Sequence, residues 1–168
     1  MHQVYYSSLE IDKLIIYDSG VRLWDCTTGN CVRLMTGHKS TVLVISFSPD
    51  GRFIASGSSD RRVLVWDIAY GHLLAELSHH NNIITSLAFS REGTVLVSSA
   101  IDSTIAIWDF AKMTNEAALE DVNVTHNPDV MKDSEKMLLG SYRSKNTPVL
   151  HLHFTRRNLL LTSGPFEG

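Results

Sequence analysis

Hydrophobic and polar residues in this chain alternate in short bursts of four to six residues, each ended by turn formers, a pattern that predicts β-strands joined by tight turns. Beyond His38 the bursts fall at 42–47, 53–58, 63–66 and 73–77. Between them lie Ser48-Pro49-Asp50-Gly51, a tight turn at Asp60, and Tyr70-Gly71. Pro presets the φ of a turn and Gly supplies its left-handed position, so these breaks reverse the chain and lay successive strands antiparallel. The pattern then returns. Trp24-Asp25, Trp66-Asp67 and Trp108-Asp109 stand 42 residues apart each time. The same offset links His38 to His80, Phe47 to Phe89, Ser48 to Ser90, Gly51 to Gly93, Ser56 to Ser98 and Asp60 to Asp102. In the second unit the outer strand is delayed by an insert at 111–134 and falls at 137–142. Two further strands, 149–154 and 159–163, make a half unit, and 18–24 matches the closing half of a unit while 1–17 keeps only a blurred trace.

A unit of this length with four strands, opening on Gly37-His38 and closing on Trp66-Asp67, carries the signature of a WD40 repeat, one blade of a β-propeller. The expected fold is therefore all-β: a WD40 β-propeller fragment with two complete four-stranded blades plus partial blades at both ends. Residues 1–25 read as a partial or degenerate blade and 26–168 as the WD40 blades, with the acidic loop insert at 111–134 expected to be a mobile surface loop. Propellers close with about 4 to 8 blades, because closure protects the strand edges. This chain does not spell a closed ring. It reads as a fragment or variant product of a longer protein, or as a chain that borrows strands, and its open edges predict association in isolation.

Composition narrows the setting. No run approaches the roughly 18 apolar residues of a membrane helix, and the first residues lack a secretory pattern, so an intracellular protein without membrane contact is expected. The net charge of −3 comes from the insert, where Glu116, Glu120, Asp121, Asp129 and Asp133 face only Lys112 and Lys132. The remainder balances, which argues against direct nucleic-acid binding. Cys26 and Cys31 have no ligand pair at metal spacing and read as free thiols flanking a hairpin turn. Asn123-Val124-Thr125 matches a glycosylation acceptor that has no consequence without a secretory signal.

Ser, His and Asp recur together, as in a hydrolase triad, but a catalytic site needs one special constellation. Here His38, Ser56, Asp60 and Trp66 return as His80, Ser98, Asp102 and Trp108. A network built once per blade is expected to be architecture, in which each buried polar group satisfies another. No catalytic residue, cofactor, metal or small-molecule substrate is expected. His151 and His153 share one strand face but lack further ligands, and read as packing or partner contacts. Lys39 and Asn81, each following a repeated histidine, and Arg143, Lys145, Arg156 and Arg157 are the candidate partner contacts; Arg143 and Lys145 suit an acidic partner.

The wording of three stretches goes beyond the generic repeat: GNCVRLMTGHK, SFSPDGRFIASGSSDRRVLVWDI and, above all, LLGSYRSKNTPVLHLHFTRRNLLLTSG. Together they resemble the C-terminal propeller of the WD40-repeat TBP-associated factors of the general transcription factor TFIID, over about residues 18–166. The resemblance implies a nuclear, non-enzymatic scaffold in RNA polymerase II transcription initiation. Its implied partners are other TFIID subunits, especially histone-fold TAFs, with SAGA-type acetyltransferase complexes as a related setting. The family's N-terminal dimerisation regions and first several blades have no counterpart here. The alternative is a WD40 adaptor of another complex, such as a ubiquitin ligase substrate receptor or a signalling scaffold.

Overall fold

The computed structural model describes residues 19–120, 134–145 and 147–165. Strands β1 (Gly20–Asp25) and β2 (Asn30–Thr36) form an antiparallel hairpin. Strands β3 (Val42–Phe47), β4 (Phe53–Ser58), β5 (Arg62–Asp67) and β6 (Leu73–Ser78) then form a four-stranded sheet in sequence order. A second such sheet contains β7 (Ile84–Phe89), β8 (Val95–Ala100), β9 (Thr104–Asp109) and β10 (Leu138–Arg143). The pair β11 (His151–Phe154) and β12 (Leu160–Ser163) follows. All neighbouring strands are antiparallel. The chain is thus a β-propeller fragment, two complete blades between two partial ones, as its periodicity predicts.

Local chemistry explains why the blades repeat. In the first turn of each blade a serine hydroxyl accepts from the next strand's amide, Phe53 N to Ser48 Oγ at 3.0 Å and Val95 N to Ser90 Oγ at 3.0 Å. Gly51 and Gly93 take φ of 72° and 66°, the left-handed turn position where a Cβ is costly. In the next turn Arg61 and Ser103 adopt φ of 71° and 64° without being glycine. The preceding aspartates hold that conformation: Arg62 N and Thr104 N each donate to Oδ1 of Asp60 and Asp102 at 3.0 Å.

The core lies between the sheets. Val21, Leu23 and Met35 of the first hairpin pack on Val42, Ile54, Leu64 and Trp66 of the first blade. Phe53, Val63 and Leu77 in turn meet Ile84, Leu96 and Trp108 of the second. Ala88 and Val97 then meet Val149 and Leu152. Every residue of β4 is buried, because neighbours cover both faces of that strand. The blades pack closely at Gly57, where a Cβ would stand 2.5 Å from Ile84 Cγ2.

Two expectations need adjustment. The insert at 111–134 does not begin as a loop: helix α1 (Phe110–Glu120) follows β9 directly, and a short helix α2 (Ser134–Met137) leads into β10. Phe110, Met113 and Met137 are buried in the core shared by the two blades. Good helix formers such as Ala, Lys, Met, Glu and Leu fill α1, and its two apolar anchors are three residues apart on one face. Residues 121–133 lie outside the described residues, as do residues 1–17. The hairpin of β1 and β2 also crosses the division expected between residues 25 and 26, since Asp25 pairs with Asn30 and Gly20 with Thr36.

Candidate functional site

Each complete blade builds a polar relay from its inner loop to its third strand. In the first blade Trp66 Nε1 donates to Ser56 Oγ at 2.8 Å, and Ser56 Oγ lies 2.8 Å from His38 Nε2. The other ring nitrogen, His38 Nδ1, lies 3.0 Å from Asp60 Oδ2. That oxygen also accepts from Lys39 N at 2.8 Å and from Arg62 Nη2 at 2.9 Å. Arg62 continues to Glu76 Oε1 at 2.7 Å. Asp60 is therefore a hub that fixes the 37–41 loop against the β4–β5 turn.

The second blade repeats the inner half and departs in the outer half. Trp108 Nε1 donates to Ser98 Oγ at 2.8 Å, and Ser98 Oγ lies 2.7 Å from His80 Nε2. His80 Nδ1, however, meets Thr104 Oγ1 at 2.6 Å, while Asp102 Oδ1 stands 3.8 Å away. The Thr104 hydroxyl donates onward to Asp102, whose other oxygen accepts from Asn81 N at 2.6 Å. A coherent direction runs through the whole relay: Trp N–H to Ser, Ser O–H to His Nε2, His Nδ1–H to Thr, and Thr O–H to Asp. Thr104 occupies the position that Arg62 holds in the first blade. The repeat pattern missed both residues, because they differ from each other; the visible signal was a donor-bearing residue two places after each turn aspartate.

The electrostatics follow from burial. His38 and His80 are 6% and 7% exposed. Burial pushes His80 down to about 4 against the opposing attraction of Asp102, and it lowers His38 as well, against its hydrogen bond to Asp60. Burial works to raise Asp60 and Asp102, but the amide, histidine and threonine donors around them hold both carboxyls below their ordinary value. With both ring nitrogens engaged inside the protein, neither histidine faces a substrate. Trp24 differs: its Nε1 is buried with no partner among the described residues. At the same 42-residue offset the sequence has Leu14 in place of Ser56 and Ser98.

The candidate partner residues divide between two edges. Antiparallel alternation puts loops 37–41, 59–61, 79–83, 101–103 and 144–150 on one edge and turns 48–52, 90–94 and 155–159 on the other. Lys39, Asn81, Arg143 and Lys145 are exposed on the first edge, beside the relays. Arg156 and Arg157 are exposed on the opposite edge, in the turn between β11 and β12. His151 and His153 are both exposed on one face of β11. Cys26, at the start of the β1–β2 turn, and Cys31, in β2, form no disulfide.

Comparison with known proteins places this geometry among relatives. The family model for the WD domain, G-beta repeat, matches residues 29–67 and 71–109. Transcription initiation factor TFIID subunit 5 of Caenorhabditis elegans is 37% identical over 158 residues, covering 89% of this chain and 23% of the relative. The subunit of the same name in Drosophila melanogaster is 44% identical over 59 residues, covering 35% of this chain and 8% of the relative. Nuclear distribution protein PAC1 of Coccidioides posadasii is 50% identical over 44 residues, covering 26% of this chain and 9% of the relative. The chain thus spans less than a quarter of the length of each of these relatives.

Proposed function

We propose that this chain, whose residues 29–67 and 71–109 are WD40 repeats, is a non-enzymatic protein-interaction scaffold of the TFIID subunit 5 type, acting in the nucleus in transcription initiation by RNA polymerase II. The observation that carries this reading is the extent of the likeness to the nematode subunit: 158 residues, 89% of the chain, far more than the two matched repeats. The likeness to the PAC1 protein covers only 44 residues, about one repeat, which blades of unrelated scaffolds share. The relays support a scaffold over an enzyme, because each histidine spends both ring nitrogens on neighbours of its own blade. Their role is to fix the loops on the first edge, from which Lys39, Asn81, Arg143 and Lys145 reach a partner. The partners we infer are other TFIID subunits, especially histone-fold TAFs, with a SAGA-type complex as the related setting. Affinity purification of the tagged chain from nuclear extract, followed by identification of bound proteins, tests this. TBP together with other TFIID subunits is the expected set. Recovery of ubiquitin ligase components or of signalling proteins without TBP would replace this reading with that of a different WD40 adaptor.

A further inference from the structure

On the edge opposite the relays, the inner strands β3, β7 and β11 of three successive sheets converge on an open groove of about 500 Å³. Phe47, Phe89 and Phe154 close those three strands and line the groove, with Leu152 in its wall. Two guanidinium-bearing residues, Arg91 and Arg156, belong to the same lining. Arg91 Nη1 donates to the Arg156 carbonyl oxygen at 3.1 Å, and Arg91 N reaches Asn158 Oδ1 at 3.3 Å, so the two rim turns are tied together. No carboxylate among the described residues pairs with Arg91, Arg156 or Arg157. Of the neighbouring acids, Asp50 takes the Ser48 hydroxyl and the Arg52 amide, and Glu92 is no part of the lining.

We infer that this groove is a docking site for an extended acidic peptide segment of a partner protein, one that sets apolar side chains against Phe47 and Phe154 and carboxylates against Arg91 and Arg156. Charge complementarity selects the occupant. Arginines with no acidic partner of their own donate to carboxylates in a bidentate geometry, while the phenylalanine side chains supply the apolar contact that a purely electrostatic site lacks. Single-stranded nucleic acid would also be drawn to arginine and aromatic residues, but it needs open ring faces for its bases. Phe89 does not offer one freely: it is 8% exposed and packs edge to face on Phe110 at 4.9 Å between ring centroids. The inference rests on the scaffold reading only in taking a protein as the ligand.

Fluorescence anisotropy on the full chain tests it with a labelled peptide of repeating Asp-Phe-Asp-Leu. Controls replace Asp by Lys, replace the apolar residues by Ser, or use a labelled oligouridine. The acidic apolar peptide binds, each control binds at least about tenfold more weakly, and Arg91→Glu with Arg156→Glu weakens the peptide by about tenfold or more. Arg61→Glu, in the exposed 59–61 turn on the other edge, leaves binding unchanged. Should the charge reversals lower the melting temperature, Arg91→Gln with Arg156→Gln gives the same comparison with a smaller perturbation. Equal binding of wild type and rim variants, preference for oligouridine, or loss through Arg61→Glu would each overturn the site. Failure here with TFIID subunits still recovered in the purification removes the groove alone. Peptide binding with other proteins recovered keeps the groove and removes the assignment to that complex.

Discussion

At the scale of single residues, the second-blade relay makes stability depend on acid in a direction that can be worked out. His80 has a folded-state value of about 4 against an ordinary 6.5, so protons bind the unfolded chain more readily. Its contribution is complete above about pH 6.5 and is lost progressively as the pH falls through 4. The size is on the order of 3 kcal/mol. Thermal melts between these limits should show a steep fall in melting temperature for wild type and a flatter one for His80→Gln. Thr104 gives a sharper test, since Thr104→Val keeps the shape but removes the hydroxyl between His80 and Asp102. An unpaired buried donor should cost about 1 to 3 kcal/mol in chemical denaturation. No loss would mean that His80 turns directly to Asp102. The histidine, serine, aspartate and tryptophan positions were legible because they repeat at 42 residues. Thr104 and Arg62 were not, since a pattern built on identity is blind to positions where two blades solve one hydrogen-bonding problem differently.

At the scale of elements, strand positions were legible almost to the residue. The alternation for the first blade begins at Val42, Phe53 and Leu73, where β3, β4 and β6 begin. The turns reveal themselves through Pro, Gly and Asp, whose local chemistry does not depend on distant contacts. Helix α1 was hidden for the opposite reason: its anchoring is tertiary. Phe110 packs edge to face between Phe53 of the first blade and Phe89 of the second, at 5.4 and 4.9 Å between ring centroids. Ser134 of α2 reaches the outer edge of β6, accepting from Ser78 N at 2.9 Å and donating to the Glu76 carbonyl at 3.2 Å. The ends of the insert therefore brace one blade against the other and occupy part of an exposed strand edge. Phe110→Ala should destabilise the chain by about 3 to 5 kcal/mol. Urea unfolding measures this, and a change below about 1 kcal/mol would return the start of the insert to the role of a passive connection.

At the scale of the whole molecule, a stack of sheets with buried relays on one edge and a basic, aromatic groove on the other presents two separate surfaces. That suits a subunit that holds several neighbours at once. The architecture was legible from the repeat alone, and Arg143 and Arg156 lie on opposite edges because strand β11 runs between them. The proposed membership of a transcription complex rests on likeness extending across 89% of the chain. Density-gradient sedimentation of nuclear extract, with each fraction probed for this chain and for TBP, tests that central claim most directly. Coincident peaks in a fast-sedimenting fraction are the predicted result, with both shifting together when either is depleted by antibody. A peak for this chain that sediments apart from TBP, and is unmoved by TBP depletion, would contradict it.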